Sequence, residues 1–353
     1  MAYEHHRSGG LPQDPAPGAA AQGHALPSPE YVDIAVDDAT DALADLRAGL
    51  EAPQARIAPK YFYDALGARL FEAITRLPEY YLTRVEAQLM DTLRPQLREA
   101  ITAHCGPAPV QLLDLGAGSC RKAQGWIDTL RVERYVAVDI ARDMLAEGLA
   151  ALQRANPTLP LVGVSTDFSR RLDLRALDPG QASRAAARIA LYPGSSIGNF
   201  APEAARAFLR QVAQCCPGGG LVIGVDLVKD TAILEAAYND ALGVTAAFNR
   251  NVLLHVNALL GSDFHLQDWD HAATYARDAG RIEMHLVARR ALELRWPGGQ
   301  RRFAAAERIH TENSYKWEAA TFSALLRAAG FGEPRCWTDA QGLFAVFWAP
   351  VPT

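Results

Sequence analysis

The stretch that decides the fold is "VQLLDLGAGSCRK", residues 110–122. It is an apolar strand-like run ending in Asp114, followed by two glycines, Gly116 and Gly118, that open a helical segment. The next apolar run, "RYVAVDIA", carries an acid, Asp139, at its end. Glycines let the backbone approach a ligand closely, and an acid after the second strand can accept both hydroxyls of a ribose. The competing reading is an ordinary strand-to-helix turn with no ligand.

Outward from this stretch, short apolar runs alternate with helical segments: "LPLVGVSTDF", "RIALYPGSS" and "GGGLVIGVDLV" continue the rhythm to about residue 228. Such alternation predicts βαβ units and a mostly parallel sheet, an α/β core. From about 31 to 101 the pattern reads as helical. "DATDALADLRAGL" has a helix-start composition, and "TRVEAQLMDTLRPQL" repeats apolar residues at Val85, Leu89, Leu93 and Leu97. Residues 231 to about 275 read as a second helical region, followed by the strand-like "IEMHLVARRA", "LELRW" and "GLFAVFWAP", with the helix "WEAATFSALLRAAGF" before the last.

The chain has 353 residues, 49% of them hydrophobic, enough for a sizeable core and more than one domain. A formal charge of -5 argues against attachment to nucleic acid or an anionic membrane through the net field. Five cysteines, an odd number with no Cys-x-x-Cys pair, suggest a reduced cytoplasmic protein with no structural metal. Residues 1–30, rich in Pro, Gly, Ala and Ser, read as a disordered leader without the apolar centre of a signal peptide. No apolar run approaches the ~20 residues needed to cross a bilayer.

The ligand can be narrowed. "STDFS" places Asp167 and Phe168 after the third apolar run, a carboxylate for an exocyclic amine beside an aromatic wall for a purine. The glycine turn lacks the Gly-Lys-Ser/Thr ending of a P-loop and the third glycine of the dinucleotide fingerprint. An adenosine without phosphates points to S-adenosylmethionine, with Lys122 available for its carboxylate unless it is merely solvated. At the fourth strand end, "YPGSSIGNF" supplies Gly194, Gly198 and Asn199, whose amide offers both a donor and an acceptor. Asparagine in a turn also serves its own backbone.

These blocks resemble a known family. "KYFYDALGARLFEAITRLPEYYLTR", "LLDLGAGSCRK", "GSSIGNF", "GVDLVKD", "AAYNDALGVTAAFNRNVL", "RIEMHLVAR" and "HTENSYK" occur in this order. Together they resemble the histidine Nα-methyltransferases that begin ergothioneine biosynthesis, over nearly everything from residue 31 to the end. The resemblance implies a Rossmann-like methyltransferase unit (86–230 and 316–353) with a discontinuous substrate-binding domain (31–85 and 231–315). It implies three methyl transfers from S-adenosylmethionine to the α-amine of L-histidine, through its mono- and dimethylated forms to hercynine, with no metal; a monomer is the simplest expectation. The family's cofactor contacts fall on Gly116, Lys122, Asp139, Asp167 and Phe168, and Gly194 is added to them. Substrate contacts fall on Tyr80, Asn199, Tyr238, Glu312 and Ser314, with Met284 near the ring, and Tyr63 and Asn313 are included with them. Asn199, Tyr238 and Tyr80 are the residues expected to orient the reacting amine and its carboxylate.

"HTENSYK" carries the substrate question. If it is extended, Glu312 and Ser314 share a face about 6.5 Å apart, a span that suits the two nitrogens of an imidazole. Glu312 would accept one ring proton, and Ser314 would serve the other nitrogen as donor or acceptor. The alternative makes Ser314 the cap of a helix beginning near Tyr315. Two rival functions stay open at this level: methylation of tryptophan, tyrosine or a histidine derivative, and a non-catalytic S-adenosylmethionine-binding module.

Overall fold

The central strands of the main sheet are apolar on both faces because both faces are covered, while the edge strands are more polar and largely exposed. A computed structural model describes residues 28–33, 39–168, 172 and 187–352; the expected leader lies, up to residue 27, outside the described residues. The sheet is formed by β1 (Glu30–Asp33), β2 (Val110–Leu115), β3 (Val132–Asp139), β4 (Leu161–Ser165), β5 (Arg188–Tyr192) and β6 (Gly220–Asp226), completed by β12 (Arg335–Thr338) and β13 (Phe344–Pro350). Their order is β1-β4-β3-β2-β5-β6-β13-β12. All pairings are parallel from β1 to β6, and only β13 and β12 join antiparallel.

Alternate strand residues divide between two cores. Leu112, Tyr135, Ile189 and Val222 face α3 (Tyr81–Cys105), α4 (Ala123–Thr129) and α5 (Arg142–Ala155). Leu113, Val136, Ala190 and Ile223 face α6 (Pro202–Cys215) and α9 (Ala319–Ala328). This two-sided burial explains why these strands read as continuous apolar runs. The direction of strand addition reverses between β2 and β5, and ligands in such sheets bind at the carboxyl ends beside that reversal.

The rest of the chain builds a smaller layer over those carboxyl ends. A three-stranded sheet, ordered β11-β8-β7, comes from β7 (Trp269–Ala276), β8 (Arg281–Ala288) and β11 (Arg308–Tyr315), beside the hairpin of β9 (Leu292–Trp296) and β10 (Gly299–Phe303). Its helices are α1 (Ala39–Glu51), α2 (Ala65–Ile74) and α8 (Val244–Leu260), with the short α7 (Thr231–Ala236) preceding α8 in the chain. Phe62 stacks on Phe248 at 4.6 Å, and Asp64 both caps α2 through Gly67 N at 2.7 Å and accepts from Asn251 at 2.8 Å. The backbone of 55–57 pairs with His310, so the N-terminal segment is stitched to β11 across some 250 residues of sequence.

Three sequence expectations are corrected here. The supposedly helical N-terminal region includes β1, whose four residues pair with β4. The second helical region ends at Leu260, and Trp269–Ala276 is a strand, its half-buried alternation too mixed with polar residues to stand out. Tyr315 belongs to β11, and α9 begins only at Ala319 with Glu318 before it, so Ser314 caps no helix.

Candidate active site

At the ends of β2 and β3 the site is made by backbone. Gly116 and Gly118 have φ of 73° and 51°, and a methyl group on Gly116 would sit 3.9 Å from the ring of Phe168. Asp139 accepts Gly118 N–H at 2.7 Å on one carboxylate oxygen and Ala141 N–H at 2.8 Å on the other. Each oxygen keeps an outward lone pair, an arrangement suited to a vicinal diol. Burial raises the Asp139 pKa, and the backbone amides of Ala141, Gly118 and Ile140 oppose that rise. Phe168 is fixed edge-on to Tyr192 at 6.0 Å, and Asp167 lies 3.4 Å from the Lys60 ammonium. The glycine gap, the diol acceptor and the aromatic wall fit an adenosine.

Lys122, expected among the cofactor contacts, is also paired within the protein, its side chain 48% exposed. Its ammonium binds Glu86 Oε2 at 2.6 Å, and Glu86 Oε1 accepts the Gly194 N–H at 2.6 Å. Glu86 is 1% exposed, and it ties α3 to the turns after β2 and β5. A carboxylate buried this deeply needs a cation, and Lys122 supplies it. The signal was in the sequence, because Glu86 falls in the stripe Leu82, Leu89, Leu93 and Leu97 that α3 buries. Gly194 is present at the site with φ of 83°, its N–H committed to Glu86.

The turn after β5 continues through Ser195, which has a left-handed φ of 55°, into a single 3-10 turn, Ser196–Asn199. A side chain at Gly198 would lie 2.9 Å from the Tyr315 carbonyl, so this turn rests directly on β11. Asn199 ends this turn half-exposed, and among the described residues its amide has no hydrogen-bond partner.

On β11 the register sets Glu312 opposite Met284 and Ser314 opposite Ile282, so both point to one face. Glu312 is half-buried and makes no hydrogen bond to the described residues. Burial pushes its pKa up to about 7, against the pull of Lys316. Tyr63, Tyr80 and Tyr238 surround it: burial chiefly raises each phenol's pKa, Glu312 adds to the rise, and for Tyr238 the nearby Lys316 opposes it. Tyr80 and Tyr238 meet edge to face at 6.1 Å, and Phe71 lies against both Tyr63 and Tyr80. Like Glu312, the hydroxyls of Tyr63 and Tyr80 have no hydrogen-bond partner among the described residues. Met284, 1% exposed, forms the floor beside Glu312. Asn313 is the exception: alternation turns it to the opposite face, where it bonds His310 at 2.9 Å, so the structure does not bring it to this site.

Below Ser314 lies a buried polar network that the sequence reading missed. Asp226, at the end of β6, accepts from Tyr81 at 2.8 Å and pairs with Lys229 and, at 2.9 Å, with Lys316. Lys316 also reaches Ser314 Oγ at 2.9 Å and the Tyr238 hydroxyl at 3.2 Å, and those two oxygens are 2.8 Å apart. Burial lowers the Lys229 pKa to about 8 despite Asp226. For Lys316 burial acts the same way, but Asp226 and Tyr238 outweigh it and hold the pKa above its usual value. An acid ending an otherwise apolar strand, in "GVDLVKD", was the available signal.

Comparison with known proteins adds the following. A family described as "Histidine-specific methyltransferase, SAM-dependent" matches residues 42–351. The chain is 39% identical over 321 residues to the histidine N-alpha-methyltransferase of Mycolicibacterium smegmatis, covering 89% of this chain and 96% of that one. It is 36% identical over 309 residues to the protein of that name from Mycobacterium tuberculosis, covering 86% and 92%. A 29% identity over 235 residues relates it to ergothioneine biosynthesis protein 1 of Schizosaccharomyces pombe, covering 64% of this chain and 30% of that larger protein. Among the described residues no group of three or more His, Cys, Asp or Glu could hold a metal, and no helix is long and apolar enough to cross a membrane.

Proposed function

This chain belongs to the histidine-specific, S-adenosylmethionine-dependent methyltransferases, and we propose that it trimethylates the α-amine of L-histidine to hercynine, the first step of ergothioneine biosynthesis. One observation carries the substrate half of this reading. The Glu312 carboxylate, the Tyr63 and Tyr80 hydroxyls and the Asn199 amide, all without hydrogen-bond partners among the described residues, gather beside the adenosine-shaped cradle. Unpaired polar groups at a half-buried site cost stability unless a ligand satisfies them.

Bound S-adenosylmethionine supplies an electrophilic sulfonium methyl group, so the protein's task is to present a neutral amine in line with it. Gly116, Gly118, Asp139 and Phe168 hold the adenosine, and Asp167 with Lys60 closes its far edge. The small sheet with α1, α2 and α8 is the substrate-binding unit. Glu312 and Ser314 grip the imidazole, with Met284 beneath it. Asn199 orients the amine and the carboxylate, Tyr238 faces the amine through the accepting position its hydroxyl has left, and Tyr80 adds a hydroxyl to the carboxylate. Tyr63 lines the amine side.

Repeated transfer requires the amine to lose a proton and turn between cycles. The groups around it are neutral hydroxyls and an amide, which can orient each successive amine without a charge to trap it. Glu86 and Lys122 act as a strut that shapes the turns after β2 and β5.

The test is mass spectrometry of the protein incubated with S-adenosylmethionine and an equimolar mixture of the twenty amino acids. A gain of up to three methyl groups on histidine alone supports the reading. Methylation of another amino acid, or of none, overturns the substrate assignment.

A further inference from the structure

The buried network beneath Ser314 has a consequence for which form of the ring the site accepts. A serine hydroxyl can accept two hydrogen bonds and donate one. Ser314 Oγ lies 2.9 Å from the Lys316 ammonium, which can only donate, and 2.8 Å from the Tyr238 hydroxyl. Tyr238 also receives Lys316 at 3.2 Å. A phenol is a stronger acid than an alkyl alcohol, so the Tyr238–Ser314 bond runs with the phenol donating. Both accepting positions on Ser314 are then filled from inside the protein, and its own proton must point outward.

We propose that Lys316 sets the hydrogen-bond polarity of the ring subsite: it fills the accepting capacity of Ser314, so that with Glu312 as acceptor the site takes neutral imidazole, with one N–H and one lone pair, in preference to imidazolium. This rests on Glu312 and Ser314 being the ring contacts. An imidazolium would direct a second N–H at a hydroxyl with nothing left to accept it, beside an ammonium that repels it.

The charged and titratable groups facing this point come from several elements. Asp226 and Lys229 stand at the end of β6, Tyr81 and Tyr80 at the start of α3, and Tyr238 after α7. Glu312 is on the same strand, Tyr63 follows the turn Pro59–Phe62, and His271 of β7 holds the Tyr238 carbonyl. Asp226 neutralises only part of the paired lysine charge. Lys316 therefore acts on the ring through Ser314, as a positioning residue.

The experiment measures affinity for L-histidine and for L-1,2,4-triazolylalanine, whose ring stays neutral in this range, by calorimetry with S-adenosylhomocysteine present. The ratio of the two affinities cancels the titration of Glu312 and reports ring protonation alone. From an ordinary histidine pKa of about 6.5, the wild-type ratio should fall about tenfold between pH 7.5 and pH 5.5. In Lys316→Met an accepting position on Ser314 is freed, and the fall should shrink to less than about threefold.

Tyr238→Phe frees the other accepting position while leaving the Lys316–Asp226 pair in place. It should flatten the ratio in the same direction, which keeps the test usable if Lys316→Met does not fold. Profiles of the variants parallel to wild type, or a flat wild-type ratio, overturn the role of Lys316 and leave the substrate assignment standing. If histidine does not bind at all, or binds Glu312→Ala as tightly as wild type, both readings fail.

Discussion

The two halves of the site are built from different materials. The cofactor side is mostly main chain: two glycines with positive φ, two amides on Asp139 and a third on Glu86. The proposed substrate side is almost entirely side chain, with Tyr63, Tyr80, Tyr238, Glu312 and Ser314 drawn from positions up to about 250 apart and supported by buried charge. Backbone sites are dictated by a short local motif and serve one ligand shape. Side-chain sites can be retuned one residue at a time, but each polar group must be satisfied by something. The substrate half is therefore where stability and binding are set against each other.

The sharpest way to break this contrast is at its support. Asp226→Ala leaves Lys316 as a buried ammonium without its carboxylate, and it should lower unfolding stability by about 3–5 kcal/mol, read by denaturant melts. A loss under about 1 kcal/mol would mean that the network is not the foundation of the substrate half.

Asp139→Ala attacks the cofactor half and removes two acceptors for charged hydrogen bonds. S-adenosylmethionine affinity should fall by about 1.5–3 kcal/mol, roughly ten- to a hundredfold by calorimetry. Unchanged affinity would remove Asp139 from the site.

Glu312 tests the cost of a preformed substrate site. Its folded-state pKa, about 7, lies above the usual carboxylate value. The folded state thus binds more protons than the unfolded one between roughly pH 4.5 and 7, and stability from this group is lost as pH rises through that window. Glu312→Gln should match wild type near pH 4.5 and be more stable above pH 7, by on the order of 2 kcal/mol in thermal melts without substrate. The same change should cut histidine turnover steeply and leave cofactor affinity within about twofold. Equal stability at pH 8 would show that the carboxylate is not strained.

The smallest effect marks the border of the site. Asn313→Ala breaks one bond to His310 on the outer face, and it should cost about 1 kcal/mol or less. Histidine turnover should stay within about twofold, and a larger drop would return Asn313 to the substrate side.

How much of this was legible follows the same division. β2, β3 and the glycine turn between them were readable because strand, turn and acid are encoded within about 30 consecutive residues. β1 and β7 were not, because they are short or mixed in polarity and owe their pairing to distant partners. Glu312 and Ser314 were placed on one face by alternation alone, and the register confirms that geometry. Alternation likewise turns Asn313 to the opposite face, where it bonds His310, although the sequence reading includes it among the substrate contacts.

The sequence by itself determined the order of the βαβ units, the glycine cradle and the family. Those depend on residue spacing within single elements, where backbone geometry leaves few choices. Only the tertiary structure decided that Lys122 answers to Glu86, that Ser314 caps no helix, and that Lys316 stands under the ring subsite. These are matters of burial and of charge pairing between distant elements. A lysine reads the same in a sequence whether it ends in water or against a buried aspartate, and only packing determines which.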